Sequence, residues 1–546
     1  MLSSIPIALK RSLVSFAILS CALASAAAQN SKFHDVIEHG ALPDGETLNT
    51  KAIQSAIDRA SEVGGGVVYF PPGRYLTGTI FLKSHVTLHL ENGAVLLGSL
   101  DIDDYEAVGE ERLNHSARQQ RHLIYAGNAE GIAIEGKGII DGRGPEFWPK
   151  DFRTMEEIEI RAAMTLPDGF STRPGTFVMI ENCTNVWLTD VIFRNSPHHM
   201  MKVQNSENVI IDGISIEQGI YEDDGPNTDG LGISGSKFRI SNSSFQTGDD
   251  CLVIGDTQHF TLTNCTFTTT ESAIVLSGLR DGTISNCSIF DAGAALNIRP
   301  GRGGLVENVT INNINYTLDR QLGGNLVFAR SKPIEVRESV QSWADRWGID
   351  YQPSREPAPV VRNISFTNIA AKSDGLIFID GLPEQWIEDI TFDQIRFEMR
   401  GGLDKPDSAE PPHPFYIFGH HTAPYGIYCR YVANITLRDI KFTWSQPERP
   451  EWGSALRVHH GSNIEIEGFN GRHSAASSQA SIELADVEGV TIRDSQAAAG
   501  TNDFLALLDG TTDVALIGND LRKAKTVVHR GPGVKKAAVH QFGNIE

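Results

Sequence analysis

Short runs of alternating apolar and polar residues recur along most of the chain. Each run starts with a turn residue, often Asn, and continues with β-branched or other apolar side chains at every second position. Alternation with a period of two residues predicts β-strands. Successive runs are 22 residues apart in the tightest stretch and mostly 22–29 residues apart elsewhere; they begin at Asn185, Asn208, Lys237, His259, Asn308, Asn363, Asp389, Asn434, Asn463, Gly489 and Asp513.

A repeat of this length without a helical pattern predicts an all-β fold, a single right-handed parallel β-helix in which each repeat forms one turn of the coil. A leucine-rich repeat is the competing solenoid, but its Leu-x-x-Leu-x-Leu signature is missing. Asn tolerates left-handed backbone angles and can hydrogen-bond along a ladder, so these Asn residues are expected to be structural. We expect residues 29–546 to form this one domain.

Two kinds of segment depart from the repeat. A short helix is predicted from Thr47 to Ala60, with Asn49-Thr50 as its cap, and is expected to cover the open N-terminal end of the coil. Two interruptions, near 319–356 and 400–424, lack the strand pattern. Long loops on a rigid coil usually shape a binding groove, and this is the interpretation here.

The N-terminus has the pattern of a signal peptide. Lys10-Arg11 precede an apolar stretch from Leu13 to Leu23 and then small residues up to Ala28, which predicts cleavage after residue 28. The apolar stretch is too short for a permanent membrane span. Cys21 leaves lipoprotein processing as an alternative. We expect an exported protein, secreted or periplasmic.

The charge and the cysteine content limit which ligands and cross-links can be expected. The chain of 546 residues has 47 basic and 68 acidic side chains, a formal charge of −21, which argues against nucleic acid as the main partner. No metal site or other cofactor is expected, since Glu222-Asp223-Asp224 lacks the ligand spacing of a calcium loop, and a monomer is expected. Five cysteines follow residue 28 and are predicted to be buried hydrophobes rather than disulfides: Cys183, Cys251, Cys265, Cys287 and Cys429.

Three aspartates carry the candidate chemistry. Asn227-Thr228-Asp229-Gly230 is followed twenty residues later by Gly248-Asp249-Asp250. If each repeat is one turn, Asp229 lies beside the pair in the adjacent turn. Clustered carboxylates are what acid/base cleavage of a glycosidic bond requires. Ordinary turn or ladder residues are the structural alternative.

Several further motifs stand in order along the chain: Gly64–Gly73 (GGGVVYFPPG), Leu76–Ile80 (LTGTI), Asn227–Gly230 (NTDG), Thr247–Cys251 (TGDDC) and Gly301–Gly304 (GRGG). Together they resemble the polygalacturonase family, glycoside hydrolase family 28, from about Phe33 to Ile369. The resemblance implies the pectin-lyase-like form of the β-helix and an inverting hydrolysis of α-linked galacturonan or a related acidic pectic polysaccharide. It implies that Asp249 is the general acid and that Asp229 and Asp250 position the water, with Asn227 a candidate substrate-binding residue.

The chain departs from the family pattern at two places. Ser272 stands where the family's Gly-His-Gly has its histidine and is a candidate substrate-binding residue, and Asn297-Ile298-Arg299 replaces Arg-Ile-Lys. Arg299 is expected to bind a substrate carboxylate, two coils from the aspartates on the same face. His199 and Arg302 are candidates to compensate; a surface histidine and a solvated arginine are the alternatives.

The geometry at the Asp pair has its own requirement. Neighbouring strand residues point to opposite faces, so Asp249 and Asp250 can share the groove only if the chain bends there, for which Gly248 would give the freedom. Inversion generally needs carboxyl groups roughly 6.5–9.5 Å apart. The resemblance implies a tighter cleft than that.

Two other functions fit the same scaffold. A polysaccharide lyase or epimerase would use calcium and a basic residue on the coil face. A non-catalytic carbohydrate-binding or adhesin solenoid is the third possibility, because the family histidine is lost. Fold alone does not choose among them, since β-helices host all three.

Overall fold

The structure is a computed structural model of the chain. It describes residues 32–546 except 109–120, 156–158, 160–162, 165–170, 221–223, 320–324, 331–355, 401–422 and the single positions 447, 449, 450, 476 and 478; at 153 and 325–330 only the backbone is described. The predicted signal peptide and most of both predicted loop insertions therefore lie outside the described residues. The first insertion was expected to lack strands, but it contains one at 325–330.

The described chain forms one sheet that winds through 36 strands. Neighbouring strands pair in parallel from one coil to the next. The strands before the first long interruption are β1 Phe33–Asp35, β2 Asp44–Leu48, β3 Gly66–Phe70, β4 Gly73–Thr77, β5 Ile80–Phe81, β6 Val86–Leu90, β7 Ala94–Gly98, β8 Ile124–Gly127, β9 Glu130–Gly136, β10 Ile139–Asp141, β11 Val178–Glu181, β12 Thr184–Thr189, β13 Ile192–Arg194, β14 Met201–Asp212, β15 Ser215–Glu217, β16 Leu231–Ser241, β17 Ser244–Thr247, β18 Leu252–Thr263, β19 Thr266–Thr269, β20 Ser272–Leu276, β21 Leu279–Phe290, β22 Ala294–Ile298 and β23 Leu305–Thr317.

The remaining strands continue the same coil towards the C-terminus. They are β24 Asn325–Arg330, β25 Val360–Ser373, β26 Ile377–Asp380, β27 Ile387–Met399, β28 Ile427–Trp444, β29 Leu456–Glu467, β30 Asn470–Gly471, β31 Ala480–Arg493, β32 Gln496–Ala497, β33 Asp503–Leu508, β34 Thr512–Ile517, β35 Thr526–Arg530 and β36 Val539–Phe542. The predicted parallel β-helix is confirmed.

The turn residues behave as the repeat predicts. The first residue of each run has a positive φ, for example 57° at Asn185, 56° at Asn208 and 57° at Asn308. Asn side chains then bond from coil to coil, as Asn208 Nδ2 does to Asn185 Oδ1 at 2.6 Å. Because Asn adopts left-handed angles at low cost and carries both a donor and an acceptor, it fits this stacked corner.

Apolar side chains fill the inside of the coil. Val186, Val209, Phe238 and Phe260 stand in register on successive coils and are almost fully buried. The five cysteines are buried and free, as expected. In the part of the chain that is described, no helix is long and apolar enough to cross a membrane.

One α-helix, α1, covers the N-terminal end. It runs over Thr50–Glu62 and buries Ile53, Ala56, Ile57 and Ala60. The predicted start at Thr47 is three residues early, because Asn49 turns its side chain back to the backbone of Leu42 and Thr47 and does not cap the helix with it.

Candidate active site

Four polar residues stand in one column across four successive coils. The register of these coils is set by four residues that pair in succession: Met201, Leu231, Leu252 and Ile274. Counting back two residues in each strand gives the column His199, Asp229, Asp250 and Ser272. The predicted adjacency of Asp229 and Asp250 therefore follows directly from a repeat of 21 residues between them.

Asp249 joins these carboxylates from the turn between β17 and β18. One oxygen from each of Asp229, Asp249 and Asp250 lies within 4.8 Å of the others. This is the tight cleft that the resemblance implied. The backbone N–H of Asp250 donates to Asp249 Oδ1 at 2.8 Å, which holds the two neighbouring side chains in fixed relation.

The turn explains how both neighbours reach the cluster. Gly248 to Cys251 lies between two strands, so strand alternation does not apply there. Gly248 is required for space rather than for bending, and this corrects the prediction. A Cβ at 248 would lie 1.5 Å from Asp224 Oδ1 and 2.5 Å from Thr228 Oγ1, which are hydrogen-bonded to each other at 2.7 Å.

Burial and mutual repulsion raise the pKa values of two of the aspartates. Loss of hydration, reinforced by Asp250, raises the pKa of Asp229 to about 7, and Lys202 and Arg299 oppose the rise. Loss of hydration, with the charges of Asp229, Asp250 and Glu271, raises the pKa of Asp249 well above its usual value. Like charges so close together favour retention of a proton within the cluster near neutral pH.

Two cations flank the carboxylates along the coil. Arg299 Nη2 donates to Asp250 Oδ2, so the guanidinium neutralises a candidate catalytic group as well as lining the groove. Its position two coils beyond Asp250 is the predicted one. Lys202 lies one coil before Asp229 and runs over Gly232, where a Cβ would meet Lys202 Cγ at 3.4 Å. Burial lowers the pKa of Lys202, and Asp229 opposes this change.

The two residues at the ends of the column, His199 and Ser272, make different contacts. His199 Nε2 lies 3.3 Å from Asp229 Oδ1, so the histidine belongs to the site. Ser272 is 2% exposed; its N–H donates to Asp250 Oδ1 and its hydroxyl accepts from Asn297 Nδ2 at 2.9 Å. In the structure Ser272 supports Asp250, and its contact with substrate stays a prediction.

Two further predicted residues have other partners. Asn227, with a φ of 59°, accepts at Oδ1 from Arg173 Nη2 at 3.3 Å, and its contact with substrate stays a prediction. Arg302 Nε donates to the carbonyl of Glu356 at 2.6 Å. No described contact joins Arg302 to the carboxylates, so it does not supply the missing positive charge there.

Sequence reasoning missed three residues of the site. Buried Arg173 donates to the carbonyls of Pro197 and Pro226, tying the loop of His199 to the loop of Asp229. Lys202 could have been found as an outward position of a strand beside His199. Glu271, next to Ser272, adds a fourth carboxyl; loss of hydration, reinforced by the charge of Asp250, raises its pKa to about 7.

The arrangement can hold and transfer protons at a sugar linkage. Asp249 can carry a proton while Asp250 stays paired with Arg299. The three aspartate oxygens are also close enough to hold a cation. The expectation that there is no metal stays a prediction.

The segment that carries the site is similar to known proteins. Residues 106–318 match the model of Glycosyl hydrolases family 28, and residues 33–91 match that of Rhamnogalacturonase A/epimerase, pectate lyase-like. The chain is 31% identical over 230 residues to a probable polygalacturonase of Vitis vinifera, covering 40% of this chain and 43% of that protein. It is 31% identical over 255 residues to an exo-poly-alpha-D-galacturonosidase of Dickeya chrysanthemi, covering 40% and 41%.

The chain thus spans about two fifths of the length of these two relatives. Among solved structures, a hyperthermoactive exopolygalacturonase from Thermotoga maritima aligns with a TM-score of 0.58 at 21% identity, covering 75% of this chain and 91% of that one. That likeness shows a shared fold.

Proposed function

We propose that this protein is a glycoside hydrolase that cleaves α-linked galacturonan, or a related pectic polysaccharide, with inversion, since residues 106–318 match the model of Glycosyl hydrolases family 28. The observation that carries the proposal is the cluster of Asp229, Asp249 and Asp250, whose oxygens lie within 4.8 Å of one another. The relatives named polygalacturonase and exo-poly-alpha-D-galacturonosidase support the choice of substrate.

In this mechanism Asp249 is the general acid. Its raised pKa favours the protonated form, and it gives that proton to the oxygen of the leaving sugar as the glycosidic bond breaks. A water held by Asp229 and Asp250 attacks the anomeric carbon from the opposite face and loses its proton to one of them. The bond formed on the opposite face inverts the configuration.

His199 and Arg299 support the two carboxylates that hold the water. His199 lies against Asp229, and Arg299 and the N–H of Ser272 hold the two oxygens of Asp250. The remaining donors of Arg299 and the ammonium group of Lys202 give a substrate carboxylate a positive charge on either side of the cluster. This local charge offsets the net charge of −21.

The deciding experiment is a screen of the purified protein against galacturonan, its methyl ester and other pectic and uronate polymers, with product sizing and an NMR time course of the anomeric proton. We expect new reducing ends from the free acid polymer and an inverted first product. EDTA should leave the rate unchanged.

Other results would favour the other functions. A first product with retained configuration would contradict the assigned roles. An ultraviolet chromophore of unsaturated uronate, lost in EDTA, would identify a lyase. Tight oligosaccharide binding without any released reducing ends would identify a binding protein. We also propose export, supported by the N-terminal pattern; a mature protein that begins at Gln29 would bear this out.

A further inference from the structure

A second cleft, on strands away from the carboxylate column, carries more positive than negative charge. This open hollow of about 290 Å³ lies on β23, β25, β27 and β28. Its cations are Lys372, Arg396 and Lys441, all exposed. The carboxylate column, in contrast, lies at the start of β16, β18 and β20.

The register of the coil brings these cations together. Arg396 and Lys441 are direct partners on neighbouring coils, which lie about 4.8 Å apart in a sheet. Like charges directly opposite each other destabilise a sheet. Ala370 precedes Arg396 in the same row, and its short side chain leaves the hollow. An anion bound between the two cations would relieve their repulsion.

Elsewhere in this acidic protein, basic side chains are commonly paired. Arg362 binds Glu307 at 2.7 Å and Arg493 binds Glu465 at 2.7 Å. Within the described ranges, none of Lys372, Arg396 and Lys441 forms an ion pair. Glu398, the register partner of Lys372, accepts a hydrogen bond from Ser445 at 2.6 Å instead.

An exposed aromatic ring flanks the cleft. Phe290 is 41% exposed and is the register partner of Thr317, which lines the cleft and pairs in turn with Lys372. An aromatic ring offers an apolar face to the C–H groups of a sugar ring. A phenylalanine beside a cationic hollow therefore combines the two features that a charged sugar chain would contact.

We propose that this cleft is a second binding site for an acidic polysaccharide, in which Lys372, Arg396 and Lys441 contact its carboxylates and Phe290 packs against a sugar ring. The charge complementarity of the hollow favours a polyanion, and the adjacent ring favours a sugar. The site goes beyond the proposed function, because it would hold the polymer without taking part in its cleavage.

The test measures binding of sodium polygalacturonate to Asp249→Asn protein, which removes turnover. A K372E/R396E/K441E variant in that background is expected to bind about tenfold more weakly, as three exposed charge contacts are lost. Its matched control is K51E/K137E/K535E, which changes the net charge equally at exposed positions elsewhere. Phe290→Ala is expected to weaken binding less.

With Asp249 restored, the cleft variant should cleave a short oligogalacturonate at the normal rate. Unchanged polymer affinity in the cleft variant, or an equal loss in the control, would overturn the proposal. So would equally tight, cleft-dependent binding of double-stranded DNA. If the wild-type protein fails to cleave galacturonan but binds it through this cleft, the proposed function falls and the second site stands.

Discussion

Two regions of one coil face use arginine in opposite ways. In the carboxylate cluster, Arg299 reaches back two coils to one member of a group of three aspartates. Further along the coil, Arg430 pairs with a carboxylate in the adjacent coil, with Nε and Nη2 at 2.8 and 2.9 Å from the two oxygens of Asp380. Asp380 is fully buried and Arg430 is 5% exposed.

The backbone places both arginines in the same row of the sheet. Ile298 pairs with Ala329 on the next coil. The row one residue further along the strands contains Arg299 and runs on through Asp380 to Arg430. The row is therefore shared, and the two arginines differ in the charges around them. Arg430 holds both oxygens of Asp380, whereas at the cluster loss of hydration and neighbouring carboxylates raise pKa values, which is typical of an acid/base site.

The largest expected effect is on catalysis at the carboxylate cluster. Asp249→Asn removes the proton donor with little change in shape, so turnover should fall by about 10²–10⁴-fold while substrate binding persists. Reducing-end release under single-turnover conditions, with binding measured separately, checks this. Near-normal turnover would remove Asp249 from the role of general acid.

The next largest effect is on stability at the Arg430–Asp380 pair. Arg430→Met removes both hydrogen bonds that Arg430 gives to the buried carboxylate of Asp380 and should cost about 3–5 kcal/mol of unfolding free energy. The matched change Arg299→Met should cost less stability and far more activity. Denaturant unfolding and kcat/KM of both variants test the contrast; equal losses of stability would mean that the two arginines are structurally alike.

A smaller effect concerns pH and stability. The pKa of Asp249 is raised in the folded protein, so folding favours its protonated form. The stability that this protonated form contributes is fully present below the pKa of Asp249 in the unfolded chain, about 4. It is lost as the pH rises through the pKa of Asp249 in the folded protein. Asp249→Asn should therefore unfold at a higher temperature than wild type above neutral pH, and the gap should shrink towards pH 4. A gap that widens on acidification would contradict the sign.

The smallest effect sharpens the role of Lys202. This cation lowers the pKa of Asp229 from what burial alone would give. Lys202→Met should raise that pKa, so the acid limb of kcat/KM, expected near pH 7, should move to higher pH by about one unit or less. Lys202→Arg is the control that keeps the charge. If the acid limb of Lys202→Met stays at the wild-type pH, Lys202 does not influence the pKa of Asp229.

The repeat and its local chemistry were readable from the sequence. Period-two alternation marks strands, and Asn at positions of positive φ marks corners, because both depend on a few neighbouring residues. The twenty-residue spacing placed Asp229 beside the Asp249–Asp250 pair for the same reason, since one coil is one repeat. The cysteines were correctly assigned as buried and free.

What only the tertiary structure decided is which outward side chains meet. Arg299 contacts Asp250 across 49 residues, and Arg173 ties two loops together across 53 residues. Ser272 is enclosed by Asn297, and Arg302 is drawn to Glu356. Register fixes only the row and column of each Cα atom. The reach of each side chain, the space left by its neighbours and the balance of charges around it then set its contacts, and no repeat pattern encodes those.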